Sequence, residues 1–293
     1  MENYRRSETF FKGYDQSKLF LQTWSHPEAI GTILFTHGHG EHSDSYLRLI
    51  SGLDKIKGAK KWNFVGWDLR GHGKSQGLRG YAKDFNEYVL DYDFFIKESL
   101  KIDFVQNKKI ILFSHSMGGL VQILGLLDFK FDEQYPQIVG QILSAPLTGL
   151  AVHVPAWKDM GASALNQFLP KLTLPTDLKN EMLTRDPEII REFERDTYRH
   201  TKMSPGVYLG IKENFIKIFK QASEINLSTH LLMSDSDPVN SSAEALKFFD
   251  ALSSTKKSLK FFEDARHELI NDTCRDETCI IISEYLEQIG GQS

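Results

Sequence analysis

The sequence predicts an α/β fold: a mostly parallel sheet of eight strands with helices on both faces and a helical lid inserted late in the chain. Three observations predict it. Short apolar runs alternate with segments of helical spacing from Thr32 to Pro146, and again from Thr229 to Ile289. One run, Ile110 to Phe113, is continuously apolar, as a strand buried on both faces must be, and it turns sharply at Ser114-His-Ser-Met-Gly118 into a helix. From Leu147 to Glu224 the alternation stops, leaving helix-like pieces cut by Pro155, Pro170, Pro175, Pro187 and Pro205, with no convincing strand. The expected division is a core of residues 1–146 and 227–293 and a lid of residues 147–226.

In chain order, Phe10–Tyr14 and Lys18–Trp24 read as an antiparallel hairpin around an Asp15-Gln-Ser turn. Thr32–Thr36 is a buried strand that runs into His37-Gly-His-Gly-Glu-His42. Ser45–Ile56 is helical, with Leu47, Ile50, Leu53 and Ile56 spaced by threes. Asn63–Trp67 is a strand ending at Asp68-Leu-Arg-Gly-His-Gly-Lys-Ser75, and Asp84 is placed to cap the long helix behind it. Gln137–Leu143, Thr229–Met233 and Ser258–Phe262 complete the strands. Ala243–Leu252 and Cys279–Ile289 are the last helices.

Composition excludes several classes of function. The chain has 293 residues and a net charge of −4, so nothing advertises nucleic-acid binding. No apolar run approaches the roughly 18 residues that span a bilayer, and the first residues lack the apolar region of a signal peptide. Cys274 and Cys279 are too few for a disulfide framework, which fits a reducing, cytoplasmic compartment.

The chemistry concentrates at strand ends. A serine at the point of a strand–turn–helix is lifted clear of the sheet by strained backbone. The motif requires G-x-S-x-G, and here the first glycine is Ser114, which makes two serines candidates. Gly118 lies two residues after Ser116, so Ser116 is the nucleophile and Ser114 a small spacer. A serine needs a histidine to take its proton and an acid to orient that histidine, in the chain order Ser, Asp or Glu, His. Beyond the lid stand only His230, at the start of a strand, and His267, past the end of one, so His267 is the base. Asp237, before Pro238, is placed to reach back to it; Asp235 is the alternative, and both could instead cap the helix that follows. The amides of Met117 and of His39 are the expected oxyanion donors, with Gly38 and Gly40 letting the second loop turn inward. His37, His39 and His42 suggest a metal site at first sight, but no carboxylate-bearing zinc pattern accompanies them, so no metal or cofactor is expected. Gly71-His-Gly-Lys-Ser75 has the tail of a phosphate loop without its first glycine, since Asp68 is there, and reads as a tight turn.

Four blocks then carry a resemblance: His37-Gly-His-Gly-Glu-His-Ser43, Asp68-Leu-Arg-Gly-His-Gly-Lys-Ser75, Ser114-His-Ser-Met-Gly-Gly119 and Ala265-Arg-His-Glu-Leu269. With Leu143-Ser-Ala-Pro146 and Leu183-Thr-Arg-Asp-Pro187, they make the chain similar to the monoacylglycerol lipase and lysophospholipase family of serine α/β-hydrolases. The resemblance implies an α/β-hydrolase fold with sheet order 1-2-4-3-5-6-7-8, the triad Ser116, Asp237 and His267, and a lid over an acyl-chain tunnel. It implies a small lipid ester as substrate. The chain departs from the family at Ser114, at Asp44-Ser-Tyr46, where an arginine of the glycerol pocket is missing, and at Ile270; Glu41 is kept as a head-group contact. In the lid, Trp157, Met160, Ala164 and Phe168 share a helical face that could line the tunnel or pack on the core. Each chain methylene buried against it is worth up to ~0.8 kcal/mol. Transient contact of this face with a membrane surface is compatible with the pattern, but no basic run favours stable anchoring. A peptidase or amidase of the same fold would use the same triad, and a non-catalytic binding protein could keep the fold.

Overall fold

The computed structural model describes residues 3–151 and 156–291, without the side chains of 156–158. Eight strands form one sheet in the order β1-β2-β4-β3-β5-β6-β9-β10. These are β1 (Arg5–Lys12), β2 (Lys18–Ser25), β3 (Gly31–Thr36), β4 (Trp62–Trp67), β5 (Lys109–His115), β6 (Ile138–Ser144), β9 (Thr229–Ser234) and β10 (Lys257–Phe262). The remaining pair, β7 (Leu174–Pro175) and β8 (Lys202–Met203), is antiparallel and lies in the inserted segment. The order is the one the resemblance implies once this short pair is set aside. Strands β3, β4, β5, β6, β9 and β10 run parallel, and the β1–β2 hairpin joins antiparallel at one edge.

Side-chain alternation divides the core between the two faces. Leu34, Ile110 and Leu112 point into one layer with α2 (Asn86–Ser99), α3 (Met117–Phe129), α9 (Ser242–Ala251) and the inner side of α8 (Pro205–Gln221). Ile33, Phe35, Ile111 and Phe113 point into the other, with α1 (Leu47–Lys55) and α10 (Arg275–Gly290). A strand with helices on both sides has no polar face to show, which is why β5 is apolar throughout its centre. The short helices α4 (Phe131–Gln134), α6 (Asn180–Leu183) and α7 (Pro187–Arg195) and the longer α5 (Ala156–Phe168) are the other α-helices among the described residues.

Three local expectations change. The first strand starts at Arg5, because pairing with β2 continues to Ser25. Phe85, not Asp84, takes the cap position of α2, but the Asp84 carboxylate one residue earlier accepts from the amide of Asn86, the first residue of the helix, at 2.9 Å. The inserted segment is not wholly helical, since β7 and β8 pair through Leu174 and Met203.

Two buried carboxylates pin the loops at the strand ends. Asp68 accepts from the Ser43 amide and hydroxyl, both at 2.7 Å, and from the Lys74 amide at 2.7 Å. The aspartate that spoils the phosphate-loop pattern therefore ties the β4 loop to the β3 loop. Asp91 of α2 takes a two-pronged pair from Arg70, at 2.6 and 2.9 Å, with its side chain fully buried. Burial holds the Asp91 carboxyl above its ordinary value in spite of that pair. Arg70→Met should therefore cost about 3–5 kcal/mol in urea unfolding, because it leaves a buried carboxylate without its partner. A loss below about 1 kcal/mol would mean that the pair contributes little.

Candidate active site

The β5–α3 turn holds Ser116 at φ 50° and ψ −120°, a region that residues with a Cβ rarely occupy. Such a conformation costs of order 1–3 kcal/mol and persists only when its surroundings fix it. Here the Ser116 amide donates to the Ser144 carbonyl at 3.1 Å. The Ser116 carbonyl accepts from Gly119 at 2.8 Å and from Leu147 at 2.9 Å. Two glycines allow the close packing around it. A Cβ on Gly118 would overlap the carbonyl oxygens of Thr36 and His37, so only glycine lets α3 start against β3. A Cβ on Gly38 would stand 3.1 Å from the Cβ of Ser116, which places the glycine loop directly over the serine.

The structure brings Ser116, Asp237 and His267 into one hydrogen-bonded chain. Nδ1 of His267 lies 2.8 Å from Oδ2 of Asp237, and Nε2 lies 2.8 Å from Oγ of Ser116. A carboxylate can only accept, so Nδ1 carries the proton and Nε2 is left to accept from the serine hydroxyl. The other Asp237 oxygen accepts from the amides of Val239 at 2.8 Å and Asn240 at 3.1 Å. Burial alone would raise the Asp237 carboxyl, but the His267 charge, its hydrogen bond and these amides hold it below the ordinary value. Burial likewise disfavours charge on His267, yet Asp237, Glu268 and Glu41 outweigh it and raise its pKa.

Asp235 is not in the chain: its carboxylate accepts from the Asp264 amide at 3.0 Å and from Ser236. Neither aspartate caps α9, since Ser241 does so through the Glu244 amide. His230 is turned away, bonded to Ser258 and stacked on Tyr285. Ser114 is fully buried, and its hydroxyl finds no partner among the described residues.

The histidines of the glycine loop hold structure. Nε2 of His37 accepts from the Leu69 amide at 2.9 Å, so its Nδ1–H donates to the Gly38 carbonyl at 2.7 Å. Burial pushes His37 down to about 3, so it stays neutral in this role. His39 is pushed down to about 3 by burial as well, with its ring edge-on to His72 and His200. His42 leaves the loop to pair with Asp196 of the inserted segment at 2.7 Å. The Met117 amide opens α3, where the first amides of a helix have no acceptor within it.

A cavity of about 200 Å³ opens over Ser116 and His267. Leu178, Leu183, Phe193 and Val239 give it an apolar wall, and Glu41 lines it as expected. Oε1 of Glu41 accepts from the Gly38 amide at 2.5 Å and from the Tyr46 hydroxyl at 3.1 Å, so this carboxylate also braces the glycine loop. The lid face is a correction. Met160 and Phe168 are 68% and 74% exposed and do not line the cavity. Helix α5 instead turns Asp159 inward, bonded to the Tyr208 hydroxyl at 2.6 Å and to Lys212, so polar contacts with α8 leave the apolar stripe outside. Trp157 lies outside the described side chains.

Two residues at the cavity were missed. Arg199 enters from the stretch between α7 and β8, close to Ser45, and pairs with Glu268. The signal for Glu268 was its place directly after His267; nothing local marked Arg199.

Known proteins resemble the chain over most of its length. A family model described as Hydrolase_4, serine aminopeptidase S33, matches residues 27–274. The chain belongs to this family. Phospholipase YtpA of Bacillus subtilis is 27% identical over 262 residues, covering 88% of this chain and 95% of that one. The human monoglyceride lipase is 27% identical over 263 residues, covering 87% and 81%. The crystal structure of Paleococcus ferrophilus monoacylglycerol lipase superposes with a TM-score of 0.75 at 26% identity, covering 97% and 98%. This member of the family is thus an α/β-hydrolase of the lipase and esterase type, a carboxylic ester hydrolase related to monoglyceride lipases. No helix among its described residues is long and apolar enough to cross a membrane.

The electrostatics of the hydrolase can be tested without a substrate. An NMR titration should place His267 above the usual ~6.5. In Asp237→Asn the largest attraction for the imidazolium is gone while burial remains, so the midpoint should fall from the wild-type value. An unchanged midpoint would contradict the Asp237–His267 contact.

Proposed function

We propose that this hydrolase cleaves carboxylic esters of single-chain lipids, monoacylglycerols or lysophospholipids, through an acyl-enzyme. The observation that carries the reading is the hydrogen-bonded chain from Asp237 through His267 to Ser116, on a strained turn beneath a partly apolar cavity. In the mechanism, Ser116 attacks the ester carbonyl while Nε2 of His267 takes its proton. Asp237 holds the imidazole in the tautomer that leaves Nε2 free and stabilises the imidazolium. The amides of Met117 and His39 receive the oxyanion, each such donor being worth roughly 3–4 kcal/mol. His267 then protonates the leaving alcohol, and water repeats the sequence on the acyl-enzyme.

Relatives described as a phospholipase and as monoglyceride lipases support a lipid ester as substrate. The cavity, at about 200 Å³, is below the ~300–1,000 Å³ usual for ligand sites, so a long acyl chain needs the inserted segment to shift. The outward face of Met160 and Phe168 is suited to transient contact with the lipid surface from which such substrates come. The family description favours one second reading, an aminopeptidase using the same residues.

Purified Ser116→Ala should lose activity on a p-nitrophenyl ester by about 10⁶-fold in turnover. Retention of the wild-type rate would remove Ser116 from the mechanism. Activity should rise with pH as His267 loses its proton, with a midpoint above ~6.5 because its pKa is raised. Ser114→Gly should stay within about tenfold of wild type, since the residue supplies bulk and no catalytic group. Mass spectrometry of products from monoacylglycerols, lysophospholipids and aminoacyl amides separates the two readings: cleavage of the amides alone would favour the peptidase.

A further inference from the structure

The polar end of the cavity is built from one guanidinium and two carboxylates. Arg199, Glu268 and Glu41 all line it, and the Arg199 and Glu268 side chains are only 9% and 4% exposed. Nη2 of Arg199 donates to Oε1 of Glu268, whose Oε2 accepts from Asn271 at 2.8 Å. The guanidinium also sits 3.6 Å from the centre of the Phe193 ring, so its plane is fixed. Burial would raise the Glu268 carboxyl, but Arg199 holds it below the ordinary value and therefore ionised. Burial, and then the Glu268 charge, pushes the Glu41 carboxyl up, so a further negative charge beside it is unfavourable.

Charge counting decides what this end accepts. Among the described residues lining the cavity, Arg199 is the one lysine or arginine, and Glu268 already neutralises it. Burial keeps His39, His115 and His200 from supplying a second cation. A phosphate group placed here would give up its water beside Glu268 and Glu41 with no unpaired cation to meet it, and like charges in contact cost several kcal/mol. A neutral polyol loses nothing of the kind. Its hydroxyls can donate to the carboxylates and accept from the guanidinium.

We infer that Arg199, Glu268 and Glu41 form the head-group subsite of this hydrolase, selecting a neutral polyhydroxy alcohol and rejecting a phosphorylated one. The inference rests on the lipid-ester reading and narrows it. The acid that follows the base and an arginine from the inserted segment together decide which ester is cleaved.

The test compares 1-oleoylglycerol with 1-oleoyl-lysophosphatidic acid, which share acyl chain and glycerol and differ by the phosphate. Both are presented in the same neutral mixed micelles, and products are counted by mass spectrometry. Wild type should favour 1-oleoylglycerol in kcat/KM by about a hundredfold, the size expected of a few kcal/mol of like-charge contact. Glu268→Gln frees the Arg199 charge and should move that ratio toward the phosphorylated substrate by about tenfold or more. Glu41→Gln should move it the same way, and Arg199→Gln should lower kcat/KM for 1-oleoylglycerol while Arg199→Lys restores part of it. The ratio is taken within one preparation, so a partly folded variant does not distort it. Equal cleavage of both substrates by wild type, or a ratio that neither carboxylate variant moves, overturns the subsite while leaving the lipid-ester reading intact. Cleavage of neither lipid, with p-nitrophenyl butyrate or aminoacyl amides still hydrolysed, overturns that reading and the subsite with it.

Discussion

The constraint on which the rest of the molecule depends is the backbone of one residue. Ser116 stands at φ 50° because β5 ends and α3 begins within a single peptide unit. That conformation is unfavourable by itself, so neighbouring chain must hold it. Hydrogen bonds from the ends of β6 and from Leu147 do so, and they exist only because β5 and β6 pair in register, His115 opposite Ser144. The absent side chains at Gly38 and Gly118 complete the arrangement by letting the β3 loop and the start of α3 meet over the serine. A strained turn of this kind points a hydroxyl out of the sheet at no further conformational cost when a substrate arrives.

Everything that meets Ser116 comes from the carboxyl ends of strands. The β3 loop lies over it, Asp237 follows β9 and His267 follows β10. These loops are braced from below and above. Asp68 joins the β4 loop to the β3 loop, and the inserted segment rests on the His267 loop through the carbonyls of Met182 and Leu183. His200 donates its amide to Gly40, so the same segment also touches the glycine loop. A shift of the lid therefore reaches the two loops that would surround a reacting ester, which ties access to the cavity to the geometry within it.

The inserted segment is oriented by polar contacts. Its apolar stripe at Met160 and Phe168 would have favoured an inward face by hydrophobicity alone, yet Asp159 is the side chain that α8 receives. An ion pair and a hydroxyl bond fix the rotation of a helix more sharply than non-directional burial does, and the outward stripe is what remains. At the other end of the segment, Arg199 brings a charge to a site that has two carboxylates of its own.

The sequence by itself determined the strands of the large sheet and their succession along the chain, because alternation and buried runs are local patterns that β3, β5 and β9 each carry within a few residues. It also narrowed ten histidines and two serines to one of each, because chain order and strand ends are legible along the sequence. Only the tertiary structure decided between Asp235 and Asp237, which differ in how one turn aims a carboxylate, and only it turned α5 apolar face outward. Arg199 and Glu268 are 69 residues apart, and no spacing announces their meeting. Local patterns record what a residue does to its own element. The charge balance of the cavity is set where segments distant in the chain touch, and burial there fixes both which groups pair and which stay charged.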